Sequence, residues 1–105
     1  MNAKKELLVE LKNPKDILCA TITFGQMWYE PEGKKHLILK LDYTPTELAQ
    51  FLVYLDFDYD AGYGTQELHG TVWLKDGTWL DRGEYDGSEW WIHQMLPEIP
   101  NELKS

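Results

Sequence analysis

The stretch LHGTVWLKDGTWLDRGEYDGSEWWIHQ, from Leu68 to Gln94, gives the strongest structural indication in the chain. It contains two Asp-Gly pairs and four of the five tryptophans. Asp-Gly between runs of alternating side chains favours a two-residue type I′ turn and hence a β-hairpin. Two such pairs in succession predict an antiparallel meander of three strands.

The two turns also predict a register, because a two-residue connection pairs the residues on either side of it. Lys75 then opposes Thr78, and Tyr85 opposes Ser88. Side chains alternate between the two faces of a sheet. One predicted face carries Gly70, Val72, Leu74, Trp79, Asp81, Gly83, Trp90, Ile92 and Gln94, and the other carries His69, Thr71, Trp73, Leu80, Arg82, Glu84, Glu89, Trp91 and His93.

The first of these two faces is predicted to belong to the core. Trp90 can fill the space above Gly70 and Gly83, and the apolar residues around it form a patch that a helix would cover. Asp81 is a misfit on this face, because a carboxylate in a core must be paired or lie at an edge. If neither holds, the predicted register is wrong.

The second face is predicted to be exposed and to bind a partner. Arg82 lies beside Trp91, suited to a cation–π contact, and Trp73 adds aromatic surface of the kind found in binding hot spots. Glu84 opposes Glu89, and this like-charge pair is destabilising unless a cation or a basic partner relieves it. In the alternative interpretation, the N-terminal strands or the C-terminal tail cover this face as a second layer.

One helix is predicted over residues 45–55. Thr44 is suited to the N-cap position, Pro45 to the first helical position, and Glu47 completes a capping box. A single apolar stripe follows, made of Leu48, Phe51, Leu52 and Leu55. Such a stripe is expected to pack on a sheet.

Further strands are predicted over residues 17–29, with a bulge at Gly25, and over residues 35–42, while residues 5–11 fit a short strand or a helical turn. The resulting order is βββ-α-βββ. It predicts the α+β class, with an antiparallel sheet of five to six strands and one helix packed on one face. At 105 residues, the chain is predicted to form a single domain over residues 1–105.

The net charge of −8 is unevenly distributed. Residues 1–40 carry seven lysines and five acidic residues, whereas residues 41–105 carry 13 acidic residues against Lys75, Arg82 and Lys104, a net charge of −10. Such a charge repels nucleic-acid phosphates and anionic membranes and attracts basic protein surfaces. The expected partner is therefore a basic surface of a host or cognate protein, without direct binding to nucleic acid or membrane.

The N-terminal residues lack the pattern of a signal peptide, and the chain has no apolar run of about 18 residues, which predicts a soluble cytoplasmic protein. Cys19, the only cysteine, lies between Leu18 and Ala20 and is predicted to be a buried apolar side chain. An exposed edge strand in the first 40 residues would allow two copies to pair as a dimer.

The acidic segment after the helix partly matches a calcium-binding loop. Asp56, Asp58, Asp60 and Glu67 fall at the spacing of ligands in an EF-hand. Ala61 stands where that loop requires glycine, and a strand rather than a second helix follows. The alternative is an Asp-rich connection in which Gly62 and Gly64 supply the turn geometry.

The run GTVWLKDGTWLDRGEYDGSEWW, followed by PEIP, resembles a pattern of small uncharacterised proteins of bacteria and their phages. The resemblance covers roughly the C-terminal 40 residues and implies a compact accessory protein, often carried on mobile elements. It transfers no catalytic residue. In that setting it implies an inhibitor of a host nucleic-acid-binding enzyme, in which carboxylates stand in for phosphates and aromatic rings for bases.

These observations favour a non-enzymatic binding module with no cofactor. The residues expected to contact the partner are Trp73, Arg82, Glu84, Glu89, Trp91, Asp56, Asp58 and Asp60. On this interpretation, Trp91→Ala abolishes binding without lowering the melting temperature. The alternatives are a glycan-binding or small-molecule-binding domain that stacks sugars on Trp73 and Trp91, a module stabilised by calcium at residues 56–67, and an enzyme using His69, Glu84 and Glu89.

Overall fold

The computed structural model describes residues 2–25, 35–59, 68–85 and 88–96. In chain order the elements are α1 (Ala3–Val9), a 3₁₀ turn (Pro14–Asp16), β1 (Ile17–Phe24), β2 (Lys35–Leu39), α2 (Pro45–Leu55), β3 (Leu68–Leu74), β4 (Trp79–Tyr85) and β5 (Ser88–Gln94). The strands form one antiparallel sheet in the order β2-β1-β3-β4-β5. The predicted α+β class is confirmed, with five strands in the described part of the chain.

The helix α2 has the predicted bounds because its ends are encoded locally. Thr44 Oγ1 accepts a hydrogen bond from Glu47 N at 3.1 Å, and Glu47 Oε1 accepts one from Thr44 N at 3.0 Å. This capping box satisfies two N–H groups at the helix start that have no partner within the helix. Leu48, Phe51 and Leu55 are buried, as the apolar stripe predicted.

The N-terminal element is a helix, the second of the two predicted alternatives. Asn2 Oδ1 accepts a hydrogen bond from Lys5 N at 3.0 Å and caps it. Ala3 N donates to Phe57 O at 2.9 Å, which ties the start of α1 to the segment after α2. Leu7 is fully buried, and α1 packs against α2, so both helices lie over the same face of the sheet.

The first half of the sheet is shorter than the sequence predicted. β1 ends at Phe24, and Gly25 follows with φ of 125°. β2 ends at Leu39, and a turn with Asp42 at φ 61° leads into α2. Two described strands therefore precede α2 instead of three. The irregularity expected at Gly25 lies instead between Ile17 and Cys19 in the pairing with β3; residues 26–34 and the tail 97–105 lie outside the described residues.

One hydrophobic cluster joins both helices to one face of the sheet. Its buried members are Ala3, Leu7, Ile17, Ala20, Ile22, Leu39, Leu48, Phe51, Leu55, Tyr59, Leu68, Val72, Leu74, Leu80 and Trp91. Every strand contributes to this cluster, and all of its strand residues lie on the same side of the sheet. The protein is therefore two layers, helices over a sheet, with the core between them.

One of the two strand pairings in the meander has the predicted register. Tyr85 opposes Ser88, which confirms the register between β4 and β5, although the turn residues 86–87 themselves lie outside the described residues. Between β3 and β4 the prediction is wrong. Leu74 N donates to Thr78 O at 2.9 Å, so the connection contains three residues, 75–77, instead of two.

The extra residue in this connection exchanges the faces of β3 relative to β4. Val72 opposes Leu80, and Trp73 opposes Trp79. When the pairing of two strands shifts by one residue, the side chains of one strand share a face of the sheet with the other set of alternating side chains on its neighbour. Three-residue hairpin connections commonly combine a type I turn with a left-handed residue, and Gly77 takes that position with φ of 91°.

Gly77→Ala is expected to destabilise the protein by about 1–2 kcal/mol, because an L side chain is strained in the left-handed region. Steric overlap does not contribute, since a β-carbon here would have no atom within 4 Å. Urea unfolding followed by tryptophan fluorescence measures the loss. Gly77→Asn should lose less, because asparagine tolerates this conformation better. Equal stability of wild type and Gly77→Ala would contradict the left-handed turn.

Candidate functional site

The side of the sheet away from the helices carries a group of aromatic residues around one carboxylate. This surface, the open face, consists of Thr71, Trp73, Trp79, Asp81, Trp90 and Ile92. In the part of the chain that the structure describes, none of these residues belongs to the buried core, and neither helix packs over them. Trp73 is 41% exposed and Trp90 42% exposed. Tryptophan is one of the residue types enriched in the hot spots of protein interfaces.

Asp81 lies at the centre of the open face. Its Oδ1 accepts a hydrogen bond from Thr71 Oγ1 at 3.0 Å, and its Oδ2 accepts one from Trp79 Nε1 at 3.0 Å. Thr71 and Asp81 are cross-strand partners, while Trp79 lies two residues before Asp81 on the same strand. These bonds fix the orientation of the carboxylate. The predicted misfit of Asp81 is resolved, because its face is not the core.

Trp73 and Trp90 lie at opposite diagonals from Asp81. On β3, Trp73 is two residues beyond Thr71, the partner of Asp81. On β5, Trp90 is two residues before Ile92, the partner of Asp81 on the other side. Diagonal neighbours of this kind are about 7–8 Å apart and are within reach of large side chains. The carboxylate is therefore placed between two exposed indoles.

Gly83 makes room for the side chains on this face. A β-carbon there would lie 2.4 Å from Ile92 Cδ1 and 3.1 Å from Trp90 Nε1. The prediction that Trp90 uses the space above Gly83 is confirmed. The same prediction is wrong for Gly70, which lies on the core face, where a β-carbon would lie 2.3 Å from the carbonyl oxygen of Thr21.

The face predicted to bind a partner is instead the core face. Trp91 is 5% exposed and Glu89 is 4% exposed, and the side chain of Arg82 is 2% exposed. Trp73 is the one tryptophan of that predicted set that remains exposed. Glu84 is also exposed, at the sheet end beside its cross-strand partner Glu89. The error arises because the predicted pairing of β3 with β4 is one residue out of register. It placed Trp73 on the same face as Arg82 and Trp91.

Arg82, the only arginine in the chain, is held in a buried polar network. Its Nη2 donates to Glu89 Oε1 at 2.7 Å and to the Tyr59 hydroxyl at 2.9 Å, and its Nη1 lies 3.1 Å from Glu6 Oε1. Its Nε donates to the carbonyl oxygen of Leu68 at 3.3 Å. The guanidinium also stacks over Trp91, 4.8 Å from the ring centre, so the predicted cation–π contact is present in the interior.

The network joins α1, the segment after α2, and three strands. The Tyr59 hydroxyl donates to Glu6 Oε1, and Leu68 N donates to Glu89 Oε1 at 3.0 Å. Burial and the hydrogen bond to Glu6 raise the pKa of Tyr59 well above its ordinary value, although the nearby Arg82 opposes this shift. Tyr59 therefore stays protonated and continues to donate. These contacts link α1 and the segment after α2 to the sheet, and the cation beside Glu89 comes from within the chain.

The acidic loop is only partly described. Asn2 Nδ2 donates to Asp56 Oδ1 at 2.9 Å and to Asp58 Oδ1 at 3.1 Å, which brings both carboxylates to the start of α1. Negative charge at this end of a helix is favourable. Asp60 and Glu67, the other two predicted ligands, lie outside the described residues. Within the described ranges, no group of three or more acidic, histidine or cysteine side chains could hold a metal ion.

The remaining candidates are dispersed over the molecule. His93 is exposed, with Nε2 2.8 Å from Thr78 Oγ1, and His69 is exposed on β3, on the same side of the sheet as Thr71 and Trp73. Cys19 opposes Trp73 and is only half-buried, so the predicted burial of this cysteine is not met in full. The structure brings together residues suited to binding, namely an oriented carboxylate and indole rings.

The sequence itself contains an indication of which residues form the open face. The predicted core face held Asp81, and the predicted exposed face held Leu80. A shift of β3 by one residue removes both misfits at once, because it groups Leu80 with Val72 and Leu74. The open-face residues Trp79, Asp81, Trp90 and Ile92 follow directly from that correction.

Within the described residues, neither helix is long and apolar enough to cross a membrane. Comparison of the chain with protein-family models, with curated proteins and with solved structures finds no match. The chemistry of the open face is therefore the basis for inferring function.

Proposed function

We propose that the protein is a non-enzymatic cytoplasmic module that docks its open face on a basic surface of a partner protein. The observation that supports this proposal is the placement of exposed Trp73 and Trp90 on either side of the oriented carboxylate of Asp81. Tryptophan supplies the apolar area that dominates binding energy in interfaces. The carboxylate supplies the charge that selects a basic partner.

The charge distribution supports the same choice of partner. Residues 41–105, which include the whole open face, carry a net charge of −10. Arg82, one of the three basic residues in that range, is enclosed by the buried network and offers no charge to the surface. A field of this sign accelerates the approach of a basic surface, and salt weakens that effect.

The surface of a nucleic-acid-binding protein fits this chemistry especially well. Such surfaces are basic in order to bind phosphates, and those that bind single strands also stack bases on their side chains. The Asp81 carboxylate and the exposed indoles of the open face match these two features. The proposed outcome of docking is that the partner is blocked from its nucleic acid, as the resemblance to small phage proteins also implies.

The test is capture of partners from a bacterial lysate on immobilised full-length protein, with identification by mass spectrometry. We expect wild type to retain a basic protein that elutes with rising salt. The variant Trp73→Ser with Trp90→Ser should bind the identified partner at least about 30-fold more weakly, since one hot-spot tryptophan contributes about 2 kcal/mol or more. The control, Val53→Ser with Tyr54→Ser, changes exposed residues on the outer side of α2 and should bind normally.

Two further measurements separate the alternatives. Addition of duplex or single-stranded DNA should displace the partner if its nucleic-acid-binding surface is occupied. Glycan binding would replace the proposal if two results were found together. Soluble oligosaccharides would quench tryptophan fluorescence in wild type, and the Trp73 and Trp90 variant would retain the partner. A partner that is acidic, or bound equally by both variants, would also contradict the proposal.

A further inference from the structure

Among the described residues, Asp81 has charge and hydrogen-bonding capacity that the fold does not use. Its two hydrogen bonds come from neutral donors, the hydroxyl of Thr71 and the indole N–H of Trp79. In the described part of the chain, none of the ion pairs involves Asp81. An ionised carboxylate has about four acceptor positions, two on each oxygen. One position on each oxygen is therefore occupied, and one on each remains.

This arrangement matches one kind of cation better than others. A guanidinium presents two parallel N–H groups and binds a carboxylate through both oxygens at once, whereas an ammonium is a point charge. A guanidinium is also planar and stacks on aromatic rings. Trp73 and Trp90 stand exposed on the two diagonals from Asp81 and provide such rings.

On the opposite face of the same sheet, an arginine binds both a carboxylate and an indole ring. There Arg82 is bonded to the carboxylate of Glu89 at 2.7 Å while its guanidinium stacks on Trp91 at 4.8 Å. The open face also holds a carboxylate with indoles at neighbouring positions of the sheet, but the described residues supply no arginine to it. Since Arg82 is the only arginine of the chain, the matching group must come from another molecule.

We propose that Asp81 is the binding site for a single arginine side chain of the partner, held by both carboxylate oxygens and stacked against the exposed indoles of the open face. This inference rests on the proposed function and specifies which side chain of the partner the open face binds. The partner contributes an arginine rather than a lysine at the centre of the interface. Trp79 is a positioning residue, because its indole N–H holds the carboxylate in place.

The test uses three capped tripeptides as probes, with arginine, lysine or citrulline between two glycines. They are titrated into ¹⁵N-labelled full-length protein, and the tryptophan indole N–H resonances are followed by NMR. We expect the arginine peptide to shift the resonances of Trp79, Trp73 and Trp90 and to leave that of buried Trp91 unchanged. The lysine peptide should bind several-fold more weakly, and the citrulline peptide, which is neutral, should not bind measurably.

The matched variant is Asp81→Asn. An asparagine side chain can accept from Trp79 through its oxygen and donate to the hydroxyl of Thr71 through its nitrogen, so the fold should be unaffected. Loss of the charged, two-oxygen contact should weaken binding of the arginine peptide about tenfold or more, because hydrogen bonds to charged groups are stronger than those between neutral groups. Retained dispersion of the indole resonances confirms that the variant is folded.

The outcomes distinguish this inference from the proposed function. If Asp81→Asn retains the captured partner while the Trp73 and Trp90 variant loses it, the arginine site is wrong and the docking face stands. If the arginine peptide binds at Asp81 but the tryptophan variant retains every captured protein, the site stands and the proposed function is wrong. Equal shifts with the lysine and arginine peptides would overturn the preference for arginine.

Discussion

Arg82→Leu is expected to destabilise the protein by about 3–5 kcal/mol, because removing one partner of a buried ion pair leaves the other charge uncompensated. The guanidinium contacts the carboxylates of Glu6 and Glu89, whose side chains are 10% and 0% exposed. The variant would leave two buried carboxylates without this guanidinium. A domain of this size has only about 5–15 kcal/mol of stability, so the loss is a large share of the total.

Urea unfolding followed by circular dichroism measures this loss. Lys12→Leu is the matched control, since it removes one positive charge from an exposed position and should change stability by less than about 0.5 kcal/mol. Adding Glu6→Gln and Glu89→Gln to the Arg82→Leu variant should recover part of the loss, because a neutral amide is less costly to bury than a carboxylate. If Arg82→Leu is as stable as the control, the buried network does not hold the helices to the sheet.

Trp91→Ala is expected to destabilise the protein by about 3–5 kcal/mol, the range for removing a large aromatic side chain from a core. Trp91 is 5% exposed, and its ring lies under Arg82. The melting temperature should fall by more than about 12 °C, since a domain of 60–100 residues loses about 4–8 °C per kcal/mol. This reverses the expectation drawn from the sequence, in which Trp91 was a surface residue.

The neighbouring tryptophan is the control for this measurement. Trp90 is 42% exposed on the open face, and Trp90→Ala should cost less than half as much stability as Trp91→Ala. Trp91→Phe should also cost less, because it keeps an aromatic ring under Arg82 and removes a buried indole N–H that has no hydrogen-bond partner within the described residues. Thermal unfolding of the three variants tests whether Trp91 belongs to the core. A larger loss of stability in Trp90→Ala than in Trp91→Ala would show that the two faces are exchanged.

Local sequence was sufficient where neighbouring residues determine the structure. The ends of α2 follow from Thr44, Pro45 and Glu47, which act within one helical turn of each other. The register between β4 and β5 follows from the two-residue spacing between Tyr85 and Ser88. The α+β class follows from the alternating and helical periods of these segments.

Tertiary structure decided which face of the sheet is buried, because the sequence indicated it only indirectly, through the misfits of Asp81 and Leu80. Alternation shows which residues of one strand share a face, but the connection through Gly77 sets how β3 matches β4, and a single residue there exchanges the faces. The burial of Arg82 had no local indication either, because its partners Glu6 and Tyr59 are distant in sequence and meet it only when both helices pack on the sheet. The open face is therefore a consequence of packing: the helices cover the side that carries Arg82 and Trp91, and Asp81 with its tryptophans is left outward.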